Sequence, residues 1–350
     1  MNEIFATRLK QARVMRGLSM DELVRKTGNV LSKQSVSKYE AGKMMPDSTI
    51  LIALSNALEM PLDYFFRPLT VEIDNIEFRK KSRLGVKQIE SIKEVVKDRL
   101  ERYFEIESIT DTDAAFRHPY SNVKIEGEDD VFPIVARIKN DWKVGEDGIN
   151  NLIEVLEENR IKVIEIDAPA SFDGLSGYVS NSIPVVVLNK NFASERKRFT
   201  ALHELGHLLL SFDASTDNKR VEKLCNLFAS EMLISREAFI QKIGERRADI
   251  SLQELKTVQE QFGISIDALM YKARYLNIIT ENRYKTFQKK KHAVTDFRAS
   301  VEKNRTKPEV STRFDRLVYR ALASEIISIS KASVLLGCPI NEVRNRLALV

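Results

Sequence analysis

Two histidines four residues apart around a glutamate constrain this chain more than any other feature. They stand in RFTALHELGHLLL as His203, Glu204 and His207, within an apolar pattern of Phe199, Leu202, Leu205, Leu208 and Leu209 that repeats with the period of a helix. Positions i and i+4 share a helix face, so both imidazoles can reach one ion. Zinc accepts imidazole nitrogen and carboxylate oxygen in tetrahedral geometry, and a catalytic zinc keeps three protein ligands and one place for water. Glu204 is then the natural base for that water. The chain holds only 4 histidines in 350 residues, which weighs against two histidines merely packed on an ordinary helix.

The histidine pair does not name the third ligand. The next helical pattern, RVEKLCNLFASEMLI (220–234), has its apolar face at Leu224, Leu227, Phe228 and Met232 and offers two carboxylates, Glu222 and Glu231. An antiparallel return from the first helix brings the start of the second near the site, which favours Glu222 and leaves Glu231 as a surface residue.

A second constellation lies near the N-terminus. Ser19 reads as an N-cap with Glu22 completing a capping box, Gly28 as a helix stop, and Ser32 as the cap of a further helix that Gly42 ends. The result is two short helices around a turn, SMDELVRKTG bracing SKQSVSKYEAGK. In a helix-turn-helix the second helix enters the major groove. Lys33, Gln34, Ser37 and Lys38 fall on the face opposite Val36 and Tyr39, and Gln and Lys can contact adenine, guanine or phosphate. Double-stranded operator DNA is the expected partner.

Charge distribution agrees with this placement. Residues 1–70 hold 10 Lys/Arg against 7 Asp/Glu and residues 281–350 hold 15 against 7, which leaves the middle acidic at 30 against 36. Basic ends favour nucleic acid. No apolar run approaches the roughly 20 residues that span a bilayer, and the charged first residues lack the pattern of a signal peptide, so a cytosolic location is expected. Cys225 and Cys338 sit in apolar helical patterns and read as buried reduced thiols.

Between these motifs, residues 71–83 alternate like a linker or edge strand, and 85–107, 129–142 and 148–158 read as helices. Strands are expected at 161–167, 177–180 and 184–189, and helices over most of the remainder. The charged, proline-containing stretch 284–310 reads as a flexible linker.

HELGHLLL followed by ExxCNxFAxExL resembles the ImmA/IrrE family of metallopeptidases, and the similarity extends over roughly residues 76–279. The resemblance implies that His203, His207 and Glu222 hold Zn2+ and that Glu204 is the catalytic acid/base, with Asn226 at the family's helix asparagine. Cys225 stands where alanine is usual, Leu202 where a small residue is common, and Ser235 where proline closes the helix. Residues 4–66 are similar to the Xre/Cro-type repressor domain, with Met20 where that family often has glutamine. A protein substrate, such as a helix-turn-helix repressor, and a homodimer follow by the same resemblance.

The expected architecture is multidomain and mainly α, with an α+β zincin-like core. A helix-turn-helix bundle (1–68) precedes a peptidase domain with helical extension (69–283), in which a small antiparallel sheet supports the HExxH helix; a linker (284–310) and C-terminal helices (311–350) complete it. No oxyanion donor can be named, although His118, His292 and Tyr178 have suitable chemistry. The competing readings are a repressor that binds DNA without cleaving, and a toxin-antitoxin or stress-response component that acts by protein binding.

Overall fold

The computed structural model describes residues 2–69, 76–78, 85–112, 116, 118–121, 123–179 and 182–347. The chain divides into two compact units, one of Met1–Ile76, Ser82–Ala114 and Thr312–Val350, the other of Glu77–Lys81 and Ala115–Ser311. No helix among the described residues is long and apolar enough to cross a membrane.

The first unit begins with α1 (Asn2–Met15), α2 (Met20–Lys26), α3 (Lys33–Glu40), α4 (Ser48–Leu58) and a 3-10 turn at Leu62–Phe66. The caps are those the sequence predicts. Ser19 and Glu22 form a reciprocal capping box on α2, and Ser32 accepts the N–H of Ser35 at the start of α3. Gly28, at φ +73°, takes the left-handed conformation that turns the chain between them. Val36 and Tyr39 of α3 are buried with Phe5, Leu9, Leu23, Leu54 and Phe65, and the Phe5 and Tyr39 rings meet edge to face at 6.5 Å.

This bundle does not end at residue 68. Helix α5 (Val86–Ile109), expected in the peptidase domain, belongs to the first unit. Buried charge explains the difference. The Arg8 guanidinium, fully buried on α1, donates to Glu101 at 2.7 Å, and Arg67 donates to Asp98 at 2.6 Å and Glu101 at 2.9 Å. Buried Arg8 and Arg67, whose side chain is 9 % exposed, thus find their counter-charges on α5, which the sequence marks only as a helix.

The second unit holds β1 (Ile76–Phe78, save its first residue), α6 (Val131–Asp141), α7 (Leu152–Glu158), β2 (Lys162–Ile166), β3 (Gly174–Val179) and β4 (Ile183–Asn189). The helices that follow are α8 (Ser194–Leu209), α9 (Asn218–Leu233), α10 (Arg236–Ile243), α11 (Leu252–Phe262), α12 (Ile266–Tyr275), α13 (Glu281–Ala293) and α14 (Thr295–Glu302). Of the expected strand at 71–83, β1 is the described part; the other residues lie outside the described ones. The sheet order is β1-β3-β4-β2. It is mixed rather than antiparallel: β3 pairs antiparallel with β4 (Ser176 opposite Val186), but β2 pairs parallel with β4 (Ile164 opposite Val187). The connection over 167–173 is long enough to pass the end of β4, so β4 lies between β2 and β3, which are consecutive in sequence. Helix α8 covers β3 and β4 so closely that a Cβ on Gly174 would stand 2.7 Å from Thr200 Cγ2.

The expected linker at 284–310 is folded. Phe287 of α13 is buried and meets Phe297 of α14 edge to face at 5.9 Å, while Val301 is also buried. Residues 303–311 are tied to the same unit: the Arg305 N–H donates to Glu195 at 2.8 Å, Arg198 pairs with Glu309, and Ser311 donates to Glu157. Charged neighbours hide these few apolar anchors in the sequence.

From residue 312 the chain rejoins the first unit as α15 (Arg313–Ala323), α16 (Ile329–Leu336) and α17 (Ile340–Arg346). The expected separate C-terminal segment is therefore part of a shared core, in which Leu317, Val318, Ala332, Leu335 and Val343 pack with Tyr103 and Ile106 of α5. Cys225 is buried as expected, whereas Cys338 is half-buried, and neither is in a disulfide.

Burial holds the Glu157 carboxyl up at about 7, against a bonded Ser311 hydroxyl and nearby Lys162 that pull it down. The unfolded chain ionises this group near its ordinary value of 4.5, so folding is progressively disfavoured as pH rises from there through 7. The cost levels at roughly 3 kcal/mol above that range. Glu157→Gln is expected to raise the thermal midpoint at pH 8 and leave it nearly unchanged at pH 4, as read by thermal denaturation at both values.

Candidate metal centre

Helix α8 is buried along almost its whole length between the sheet and α9, with Leu202, Leu205, Leu208 and Leu209 in the core. This fixes the rotation of the helix and therefore the direction of His203 and His207. Their Nε2 atoms lie 3.1 Å apart. Glu222, in the second turn of α9, places Oε2 3.4 Å from His203 Nε2 and Oε1 3.4 Å from His207 Nε2. Tetrahedral zinc with bonds of about 2.0–2.1 Å requires ligand-to-ligand edges of about 3.3–3.4 Å. The three residues fit such an ion to within a few tenths of an ångström.

The atoms behind these groups set their chemistry. Asn226 Oδ1 lies 2.9 Å from His203 Nδ1, an acceptor for an N–H there that leaves the Nε2 lone pair facing the site. Glu204 is 1 % exposed and accepts the hydroxyl hydrogen of fully buried Ser176 on β3, Oγ to Oε2 at 2.8 Å. One carboxylate oxygen is thereby fixed. Nothing in the sequence marks Ser176, a single serine in a strand, whereas Asn226 stands in the motif shared with the resembled family.

The centre opens on a cleft. One lobe, of about 820 Å³, is lined by His203, Glu204 and Glu222 with polar residues that include Asp173, Asp267, Lys291 and Glu302. A second lobe, of about 660 Å³, shares Phe199, Glu222, Asn226, Ala268 and Tyr271 with the first and adds Leu227 and Tyr275 to its walls. Four of its charges are paired, Lys223 with Glu128 and Lys272 with Glu231, each at 2.6 Å, while Lys219 and Glu222 also line it. Between these charges its wall is apolar, from Phe199, Leu227, Ala268, Tyr271 and Tyr275.

Glu231, expected on the surface, is buried. It accepts from Lys272 of α12 and from the Arg236 N–H at 2.8 Å, so it is a structural counter-charge and stands apart from the histidines. Burial pushes the Lys272 ammonium below its ordinary value, and Glu231 opposes that shift. Of the oxyanion candidates, Tyr178 donates to the Leu208 carbonyl at 3.0 Å and His118 Nε2 lies 3.0 Å from the same oxygen. His292 lies on α13 beside Lys285 and Lys289, on a groove that holds none of the three candidate ligands. At the other motif, Lys33, Gln34, Ser37 and Lys38 are all exposed on α3, with Lys33 bonded to Asp21 at 2.7 Å.

Residues 156–274 match the family model described as the IrrE N-terminal-like domain, a peptidase family, and residues 9–65 match that of a helix-turn-helix domain. The chain thus joins a DNA-binding helix-turn-helix domain to a metallopeptidase-like domain, the fusion its motifs suggest. No curated protein matches it.

If Asn226 orients His203, then Asn226→Leu, which keeps the volume and removes the acceptor, is expected to weaken zinc binding about 10–100-fold. Competition against a chromophoric chelator measures this, with the thermal midpoint of the metal-free protein as the control for folding.

Proposed function

We propose that this protein is a cytosolic transcription regulator that binds operator DNA through α3 and hydrolyses a peptide bond in a protein substrate at a zinc centre held by His203, His207 and Glu222. The observation that carries the peptidase half is the convergence of two imidazole nitrogens and a carboxylate at zinc-ligand spacing, with a second, buried carboxylate beside them. A zinc ion held by His203, His207 and Glu222 would supply Lewis acidity toward the scissile carbonyl and lower the pKa of a water. Glu204, held by Ser176, takes the proton of the attacking water and passes it to the leaving nitrogen. The two-lobed cleft suits an extended polypeptide, with a polar stretch in one lobe and an apolar side chain in the other. A helix-turn-helix repressor is the proposed class of substrate, and a homodimer the proposed state on DNA, since recognition helices of this kind pair on two half-sites.

Elemental analysis separates ligand from base. The native protein is expected to carry about one zinc per chain by the three-ligand geometry, Glu222→Ala to lose or loosen it, and Glu204→Gln to retain it while losing hydrolysis. A Glu204→Gln variant with full biological output would leave a DNA-binding regulator that does not cleave.

The DNA-binding half has its own measurement. Replacing Lys33 and Lys38 by alanine is expected to weaken operator binding and to lower the slope of log affinity against log salt by about 1 for each phosphate that is no longer neutralised. Fluorescence anisotropy across a salt series reads both, and an unchanged slope would remove α3 as the contact helix.

A further inference from the structure

Cys225 immediately precedes Asn226, at the point where this chain departs from the pattern it resembles. Helices α8 and α9 cross most tightly here. A Cβ on Gly206 would lie 3.3 Å from both the Cα and the Cβ of Cys225 and 3.3 Å from Phe228, so glycine at 206 is what allows the backbones to approach. That approach carries the fully buried Cys225 side chain onto His207, with Sγ 3.6 Å from Nδ1. Its neighbour Asn226 stands in the same relation to His203 Nδ1.

The two contacts have one logic. A histidine that offers Nε2 to a metal carries its proton on Nδ1, and an acceptor behind Nδ1 fixes both the tautomer and the ring plane. At His203 the acceptor is an amide oxygen. At His207 a sulfur takes that place, because the reverse polarity, with the thiol donating to Nδ1, would leave Nε2 protonated and unable to bind a cation. Thiol sulfur is a weak acceptor and the distance is longer, so its hold on the ring is weaker than that of Asn226.

We propose that Cys225 is the positioning residue of His207, acting through an Nδ1–H···S contact rather than as a ligand or a reactive thiol; the proposal rests on the zinc reading above. Consecutive residues of α9 then orient the two histidines, one turn after the same helix supplies Glu222.

Zinc affinity, measured by chelator competition with zinc alone on the full chain, tests it. Cys225→Ala and Cys225→Val, which lack an acceptor, are expected to bind zinc about tenfold more weakly, at the low end of the range for such partners. Cys225→Ser, whose hydroxyl accepts, should stay within about threefold of the native protein. Thermal midpoints of the metal-free forms do not predict this order if the role is positioning, since weaker packing alone would rank Ser with Ala. Equal affinity for native protein, Ala and Val, or a Ser variant as weak as Ala, would overturn the proposal and leave the zinc site standing. A native protein that takes up no zinc would overturn both.

Discussion

The close crossing of α8 and α9 is the constraint on which the rest of the second unit depends. A metal at the cluster would need three side chains from two helices within about one bond length of a common point, and helices separated by ordinary side chains stand about 8–10 Å apart. Gly206 removes the side chain at the crossing. The leucines of α8 anchor its other face to the sheet, and Gly174 permits Thr200 to rest directly on β3. A helix clamped on both sides cannot rotate, so both histidines face α9, where Asn226 and Cys225 meet their Nδ1 atoms.

The first unit is organised by a different force. Arg8, Arg67 and Arg102 surround Asp98 and Glu101, with Arg102 also donating to the Leu335 carbonyl at 3.1 Å. Buried pairs contribute little net stability once desolvation is counted, but removing one partner typically costs about 3–5 kcal/mol. Such a cluster therefore specifies more than it stabilises: any arrangement in which the helix-turn-helix bundle, α5 and α16 failed to meet would leave a charge buried and unanswered.

This difference decides what the sequence could reveal. The convergence of His203, His207 and Glu222 was legible because helical period and an antiparallel return are local rules, and the caps at Ser19 and Ser32 follow from neighbours within three residues. Glu231 was not legible. It lies nine residues beyond Glu222, about 180° around the same helix, and only the presence of α12 above that face turns an exposed carboxylate into the partner of Lys272. Ser176, the place of α5 and the folded segment 284–302 were hidden for the same reason, since each depends on a partner remote in sequence, and charge read along the chain suggests solvent.

Charge balance would link the proposed base to a bound dication even though Glu204 is not among the three converging residues. Two neutral imidazoles contribute nothing, Glu222 contributes one negative charge, and a dication leaves a surplus of one positive charge. Glu204, almost wholly buried, restores neutrality. A carboxylate charge at that depth is costly in a low-dielectric interior, and a nearby cation offsets part of the cost. A dication at the cluster and a charged Glu204 would therefore favour each other, through charge rather than contact. The same balance favours a divalent ion over a monovalent one, which would leave the set of two carboxylates under-compensated. It also gives Glu222 a distinct place, because its side chain is 40 % exposed against 8 % and 9 % for the two histidines and so stands at the solvent edge of the cluster.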